Sequence, residues 1–177
     1  MTIELARAHA LPKPWGVDDL RPWNHANHNG NAIGEIWYER TEKSPSDPSL
    51  LMKLLFTSQP LSIQVHPDDT FAHSIDLPNG KSEVWYVLSA TAEAKVALGL
   101  KQRMTPQQLS AAVDDGSIAD LVEWKGVSPG DVIYVPAGTI HAIGAGLIIA
   151  ELQQRSDATY RLFDYARSRE LHIERVG

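Results

Sequence analysis

The sequence contains no cysteine among its 177 residues. Disulfides, cysteine-ligated zinc sites, iron–sulfur clusters and thiol catalysis are therefore excluded, and any metal site must use histidine, carboxylate or amide groups. The sequence also lacks a run of 18 apolar residues and a basic start followed by an apolar stretch. We therefore expect a cytoplasmic protein with no membrane partner.

A surplus of positive charge is also missing. Sixteen Lys and Arg stand against 22 Asp and Glu, which gives a net charge of −6. A broad electrostatic surface for nucleic acid is not expected, so an anionic ligand would have to be met by a few local cations. The hydrophobic share of 43% and the charged share of 21% are those of an ordinary globular protein. The length predicts a single domain over residues 1–177.

Short apolar segments bounded by Gly, Pro, Asp or Ser dominate the chain from residue 50 onward. They predict antiparallel strands at 50–57, 61–65, 83–88, 94–98, 132–135, 147–152 and 159–163. Residues 1–48 contain five prolines and one strand-like stretch at 32–40, so they are interpreted as an irregular N-terminal arm with the first strands. Thr105, Pro106 and Gly116 mark the ends of a surface helix. The sequence predicts an all-β sandwich or small barrel, with the metal-bearing part at 49–177 and one or two short helices.

One histidine follows a tight corner. The segment GDVIYVPAGTIH, residues 130–141, combines turn residues, a β-branched strand and a Pro/Gly corner before His141. Its spacing, G-x5-P-x-G-x2-H, resembles the second motif of the cupin superfamily, whose histidine is a metal ligand on a small jelly-roll-like β-barrel. Ala145 stands where that motif often has Asn.

Two further potential ligands share one strand face. Alternation in the segment SIQVHPDD, residues 62–69, places Gln64 and His66 on the same side. Glu83 begins another strand and could add a carboxylate. Nitrogen and oxygen ligands of this kind suit a zinc-like ion with an open position for substrate. Each residue taken singly could instead be an ordinary polar group at a strand end.

Two charged residues, Lys53 and Glu151, are out of place in apolar segments, and Arg161 is a further cation. Lys53 and Glu151 lie either on edge strands with their heads in solvent or inside a polar barrel cavity, because an unpaired buried charge is costly. Arg161 either meets a phosphate or pairs with Asp157 on the surface. The sequence alone leaves both choices open.

Several separate segments together resemble the type I mannose-6-phosphate isomerases. They are KLLF (53–56), PLSIQVHPDD (60–69), GKSE (80–83), PAGTIHAIG (136–144) and QQRSDATYR (153–161), with KPWG (13–16), GEIW (34–37) and LHIE (171–174) at the two ends. The resemblance covers nearly the whole chain in the family's order. It implies one zinc ion per chain, with Gln64, His66, Glu83 and His141 as ligands.

The resemblance also implies the reaction and the residues around it. Arg161, Lys81 and Glu151 fall on catalytic positions, and Lys53 and Glu35 on substrate-binding positions. The implied activity is interconversion of mannose 6-phosphate and fructose 6-phosphate through a cis-enediol, with Glu151, Lys81 and a metal-bound water all open as the base. Ser82 departs from the proline that many members carry there. The chain also has little room for the second β-domain of longer members.

Two other functions are compatible with the sequence. A non-catalytic cupin that binds a sugar or sugar phosphate would need the pocket but not the proton-transfer groups. An iron-dependent oxygenase is disfavoured by Gln64, since cupin dioxygenases usually offer His-x-His. A sugar-phosphate substrate is the expected partner, and the sequence leaves a homodimer open.

Overall fold

The structure, a computed structural model, describes residues 3–24, 30–41 and 48–172. These residues form eleven strands and three short helices. In chain order the strands are β1 (Arg7–Val17), β2 (Ile33–Glu39), β3 (Leu50–Thr57), β4 (Ile63–Val65), β5 (Glu83–Ala90), β6 (Lys95–Leu100), β7 (Val122–Gly126), β8 (Val132–Val135), β9 (His141–Ile143), β10 (Leu147–Gln154) and β11 (Tyr160–Phe163). The helices are α1 (Asp69–Ser74), α2 (Pro106–Asp114) and α3 (Ile118–Leu121). No helix in the described ranges has the length and apolar character needed to cross a bilayer.

The strands form two antiparallel sheets. Sheet A has the order β1-β2-β3-β10-β5-β8 and sheet B the order β11-β4-β9-β6-β7. Neighbours in both sheets include strands far apart in sequence, as in double-sheet jelly rolls. The core contains Trp85, Val87 and Ile149 from sheet A, packed with Val96 and Ile143 from sheet B. The all-β, cupin-type architecture predicted from the sequence is confirmed.

Most strands lie where the apolar segments predicted them, and three do not. Strands β7 and β9, of five and three residues, lie outside the predicted segments. Strand β1 lies in the region interpreted as an arm. It contains Pro12 and Pro14, and its pairing with β2 shifts register at Pro12. Prolines are tolerated here because β1 is the edge strand of sheet A and does not need every N–H for the ladder.

Helix α2 is confirmed with its predicted signals. Thr105 is the N-cap and accepts from the backbone N–H of Gln108, whose side chain in turn accepts from the N–H of Thr105. This reciprocal capping box satisfies two N–H groups that lack partners within the helix. The described residues contain two further short helices, α1 and α3, so the helix number exceeds the predicted one or two.

Cross-strand register aligns polar side chains in two rows. In sheet A, Lys53 lies between Trp37 and Glu151, and Glu151 lies opposite Trp85. In sheet B, Gln64 lies between Arg161 and His141. Side chains of paired residues point to the same face of a sheet, so each row collects groups that are far apart in sequence.

Candidate metal centre and active-site cavity

The corner before His141 is anchored to the chain just after β4. Gly138 adopts a φ of +81°, a conformation that favours glycine, and its N–H donates to the carbonyl of His66 at 2.8 Å. The carbonyl of Thr139 accepts from Nδ1 of His141 at 2.8 Å. The turn therefore fixes the direction of His141 and ties it to His66.

A second close approach brings Glu83 to the same place. A Cβ at Gly80 would lie 2.5 Å from the carbonyl carbon of Asp68, so only glycine fits against this backbone. The N–H of Lys81 donates to the carbonyl of Pro67 at 2.9 Å. The chain thus begins β5 beside His66, with Lys81 and Glu83 directed toward the imidazole.

His66, Glu83 and His141 form a buried group that could hold a metal ion. One ligand atom from each lies within 4.8 Å of the others, and each residue is at most 2% exposed. His66 Nε2 lies 3.3 Å from Glu83 Oε1, and His141 Nε2 lies 3.8 Å from Glu83 Oε2. Tetrahedral ligands at about 2.0–2.2 Å from zinc would lie roughly 3.3–3.6 Å apart. The spacing of this group suits such an ion.

The two imidazoles are held in the form that metal binding requires. Nδ1 of His66 lies 2.8 Å from the carbonyl oxygen of Ala158, and Nδ1 of His141 is bonded in the same way to Thr139. A carbonyl only accepts, so each Nδ1 carries the proton and each Nε2 keeps its lone pair. Burial, with the charge of Lys81, lowers the pKa of His66 to about 3, and burial also lowers the pKa of His141.

Gln64 completes the group as a fourth neighbour. Its Nε2 lies 3.3 Å from His141 Nε2 and 3.5 Å from His66 Nε2, while its Oε1 accepts from the Ser62 hydroxyl at 2.9 Å. For Gln64 to ligate a metal through Oε1, its amide would have to flip so that Oε1 and Nε2 exchange places. Ser62 permits this flip, because its hydroxyl can accept from Nε2 as well as donate to Oε1.

The carboxylate of Glu83 has capacity left for a cation. Its Oε1 is buried without a hydrogen bond of normal geometry, although Lys81 Nζ lies 2.7 Å away. Burial alone would raise the pKa of Glu83, but the ammonium of Lys81 outweighs burial and lowers it well below the usual value. Glu83 is therefore an anion that faces two neutral imidazoles.

Lys81 lies against the same atoms. Its Nζ is 3.1 Å from His66 Nε2, and its side chain is buried. Burial acts to lower the pKa of Lys81, but the carboxylates of Glu83 and Glu151 outweigh it and raise the pKa. A fixed positive charge thus borders the candidate metal group.

Lys53 and Glu151 face the cavity and not solvent, which decides between the two placements that the sequence left open. Each residue is 4% exposed, and Lys53 Nζ lies 3.7 Å from Glu151 Oε1. The ammonium also lies 4.4 Å from the ring centre of Trp37. Burial, followed by repulsion from Glu83, raises the pKa of Glu151 to about 7. Burial also lowers the pKa of Lys53. A carboxyl group with a pKa near 7 is suited to accept and return a proton.

Glu35 occupies the same cavity farther from the histidines. It accepts from the Trp37 indole at 2.7 Å and pairs with Lys13 Nζ at 3.1 Å. Burial would raise the pKa of Glu35, but Lys13 and Lys53 lower it. This carboxylate therefore remains charged.

Arg161 points into the cavity and is not ion-paired with Asp157 within the described part of the chain. Its Nε is buried and makes no hydrogen bond. Burial, with repulsion from Arg169, lowers the pKa of Arg161. A guanidinium with an unused donor beside a second guanidinium is arranged to receive an anion.

These side chains enclose a single narrow cavity of about 70 Å³. Seven of the nine residues singled out in the sequence line it: Glu35, Lys53, Gln64, Lys81, Glu83, Glu151 and Arg161. His66 and His141 adjoin the lining through their contacts with Gln64 and Glu83.

Sequence reasoning missed several lining residues. Lys13, Trp15, Trp85, Asp157 and Arg169 also line the cavity. The spacing Glu-x-Trp, which occurs at Glu35 and again at Glu83, was a usable signal, because residues two apart on a strand share a face. Trp37 and Trp85 each donate the indole N–H to the glutamate two residues earlier.

Comparison with known proteins identifies relatives of this domain. No protein-family model matches the chain. It is 41% identical over 160 residues to the mannose-6-phosphate isomerase ManA of Bacillus subtilis, and 38% identical over 157 residues to the mannose-6-phosphate isomerase of Streptococcus mutans. The alignments cover 86% and 83% of this chain, and 47% and 49% of the relatives. The chain thus spans about half the length of the curated relatives it matches.

Solved structures show the same fold. The mannose 6-phosphate isomerase from Bacillus subtilis matches with a TM-score of 0.86 and 29% identity, over 98% of this chain and 67% of that chain. A phosphomannose isomerase from Salmonella typhimurium matches with a TM-score of 0.70 and 16% identity, over 97% of this chain and 72% of that chain. In sequence and in fold, the chain belongs to the family of the mannose-6-phosphate isomerases.

Proposed function

We propose that the protein is a zinc-dependent aldose–ketose isomerase that interconverts mannose 6-phosphate and fructose 6-phosphate. The observation that carries this proposal is that a candidate metal group and a candidate proton-transfer group lie side by side at one cavity. The His66–Glu83–His141 group borders a carboxyl, Glu151, whose pKa is raised to about 7. Relatives that are 36–41% identical bear the name of this activity.

Zinc is the proposed metal, one per chain, with Gln64, His66, Glu83 and His141 as its ligands. Two neutral imidazoles, a carboxylate and an amide oxygen are a donor set that zinc accepts. When bound, the metal would supply Lewis-acid stabilisation of negative charge on the substrate oxygens at C1 and C2, without any redox chemistry.

Proton transfer between C1 and C2 needs a group that alternates between base and acid. Glu151 is the best candidate among the described residues, because its raised pKa keeps both protonation states accessible near neutral pH. A base that removes a proton from carbon is most effective when it is desolvated and held in place. Glu151 is buried, and it accepts a hydrogen bond from the Trp85 indole at 3.0 Å. Lys81 would stabilise the developing enediolate by its charge.

The remaining polar groups would orient the sugar phosphate. Arg161 has an unused donor and would meet the phosphate or the charge that develops on the substrate. Lys53 and Glu35 would contact hydroxyl groups from the opposite wall of the cavity.

A coupled assay tests the proposal directly. The purified chain, loaded with Zn²⁺, would be supplied with mannose 6-phosphate and with other aldose 6-phosphates, and ketose formation would be followed. Turnover of mannose 6-phosphate that is lost in His141→Ala is expected. Absence of turnover with every sugar, at full zinc occupancy, would refute the isomerase.

A sugar-phosphate binding protein without turnover is the second candidate. Such a protein would need the polar cavity and the unused donor of Arg161, but not the proton-transfer groups. Saturable binding of mannose 6-phosphate without conversion would support this candidate. An iron-dependent oxygenase is the third reading, and metal analysis of protein purified without added metal tests it.

Other expectations remain part of this proposal. We keep residues 1–177 as one cupin domain, with 1–48 as arm and first strands and 49–177 as the metal-bearing barrel. A cytoplasmic location and the possibility of a homodimer stay predictions, and light scattering of the purified chain checks the second.

A further inference from the structure

One tryptophan touches three functional side chains at once. Trp85 is fully buried, and its indole Nε1 lies 3.2 Å from Glu83 Oε2 and 3.0 Å from Glu151 Oε2. Its ring meets the ring of His141 edge-to-face, with centroids 5.6 Å apart and an interplanar angle of 67°. A single side chain therefore contacts two proposed metal ligands and the proposed base.

Glu151 depends on this contact more than Glu83 does. Glu83 has Lys81 Nζ at 2.7 Å, whereas Lys53 Nζ lies 3.7 Å from Glu151, too far for a hydrogen bond. Within the described residues, the Trp85 indole supplies the one hydrogen bond that the Glu151 side chain accepts. A buried carboxyl group without a donor would turn to find another partner.

Trp37 repeats the arrangement with one difference. It lies two residues after Glu35 and donates its indole N–H to that carboxylate at 2.7 Å, as Trp85 does to Glu83. Trp37 serves one carboxylate, whereas Trp85 divides its N–H between two carboxylates on neighbouring strands. The division is possible because Trp85 and Glu151 are direct cross-strand partners of β5 and β10.

We propose that Trp85 is a positioning residue that links the metal ligand Glu83 to the base Glu151. Its N–H holds one oxygen of each carboxylate, so the metal group and the base keep a fixed separation while the substrate's proton moves. The roles given to Glu83 and Glu151 rest on the proposed function. The link itself, one N–H shared by two carboxylates, can be tested without turnover.

The first test is zinc affinity in Trp85→Phe, which removes the N–H and keeps an aromatic ring. Groups that orient metal ligands typically change affinity by about 10-fold to 100-fold when mutated. We expect zinc binding, measured by chelator competition, to weaken by about tenfold. Trp124→Phe is the matched control, because Trp124 packs in another cluster and lines no part of this cavity. Affinity within twofold of the native value in Trp85→Phe would overturn the link to Glu83.

The second test is a double-mutant cycle with Glu151→Gln at saturating zinc. Trp85→Phe is expected to lower kcat by about tenfold and to change KM by less than about threefold, because Trp85 positions groups rather than gripping substrate. In the Glu151→Gln background the same substitution should lower kcat no further. Fully multiplicative losses would overturn the link to Glu151.

A third measurement uses the native chain and serves if Trp85→Phe does not fold or if no substrate is turned over. Each of the five tryptophans contributes one indole N–H signal to a ¹⁵N spectrum. The Trp85 indole N–H signal is expected to move when Zn²⁺ is added and to move again in Glu151→Gln, while the Trp124 signal stays in place. A Trp85 signal that is unmoved in both would overturn the proposal. Absent turnover with a signal that moves would count against the isomerase alone.

Discussion

Lys53 and Glu151 lie directly opposite each other on β3 and β10, buried, with their charged atoms 3.7 Å apart. Removing one partner of a buried pair leaves the other charge uncompensated and typically costs about 3–5 kcal/mol. At pH 8 Glu151, whose pKa is about 7, can take up a proton when Lys53 is removed, so we expect Lys53→Met to lower the free energy of unfolding by only about 1 kcal/mol. Urea unfolding measures this, with exposed Lys125→Met as the control. Restoration by the double variant Lys53→Met/Glu151→Gln is expected, and a double variant as unstable as the single one would contradict the pairing.

The same carboxyl group gives stability a predictable pH dependence. The folded pKa of Glu151 is raised to about 7, above its usual value of 4.5. The folded state therefore holds a proton that the unfolded state releases between these values, so this contribution to stability is lost as pH rises from about 4.5 to about 7. Glu151→Gln is expected to flatten that part of the curve. Unfolding free energies of both proteins from pH 5 to 8 check the slope, and an unchanged slope would assign it to another group.

Lys81 separates metal binding from catalysis. Its ammonium lies 3.1 Å from His66 Nε2 and 2.7 Å from Glu83 Oε1, so it repels a cation held by the same atoms. Lys81→Met should therefore bind zinc at least as tightly as the native chain while losing most turnover. Chelator competition and the isomerase assay on the same samples test both parts. Zinc binding weakened tenfold would show that Lys81 supports the site instead of opposing it.

The fold was largely predictable because strand periodicity is local. Alternation predicted that Gln64 and His66 share a face, and in the structure their Nε2 atoms lie 3.5 Å apart. The Pro/Gly corner predicted the turn before His141, where Gly138 has a φ of +81°. Strand β1 escaped prediction because Pro12 and Pro14 interrupt its pattern, and only its edge position makes them acceptable.

The site was less predictable because it is assembled across strands. The choice between solvent and cavity for Lys53 depends on the register of β3 with β10, which no local pattern contains. Within the alternating pattern of β5, Trp85 has the position of an ordinary core residue. Its contact with Glu151 requires pairing of segments 66 residues apart.

Metal occupancy should survive mild acid. Burial lowers the pKa of His66 to about 3, so this imidazole stays neutral in the folded chain well below its usual value of 6.5, and burial also lowers the pKa of His141. In the unfolded chain both imidazoles protonate near 6.5, so the contribution of His66 to stability is lost as pH falls from about 6.5 toward 3, and that of His141 is lost as pH falls below 6.5. We expect zinc to remain bound at pH 5.5 and to leave together with the fold. Metal content and circular dichroism recorded on the same samples check this, and zinc lost from folded protein at pH 6 would contradict it.

His141→Ala should remove most of the bound zinc at neutral pH, because one imidazole lone pair of the group is lost. Exposed His73, on α1, provides the control as His73→Ala. Metal analysis after dialysis against a chelator measures the difference. A full equivalent of zinc in His141→Ala would show that the metal site lies elsewhere.

Arg161 is expected to act on substrate and not on the metal. Its Nε is buried without a partner, and its strand neighbour is Gln64. Charge-assisted hydrogen bonds to a phosphate contribute about 1.5–3 kcal/mol, so Arg161→Ala should lower kcat/KM for mannose 6-phosphate by roughly tenfold to a hundredfold. Zinc content and the unfolding midpoint should stay near native values. Arg161→Lys should recover only part of the loss, because a point charge replaces a planar, two-pronged donor. Near-native kcat/KM in Arg161→Ala, at full zinc content, would exclude Arg161 from substrate binding and weaken the assignment of the cavity as an isomerase site.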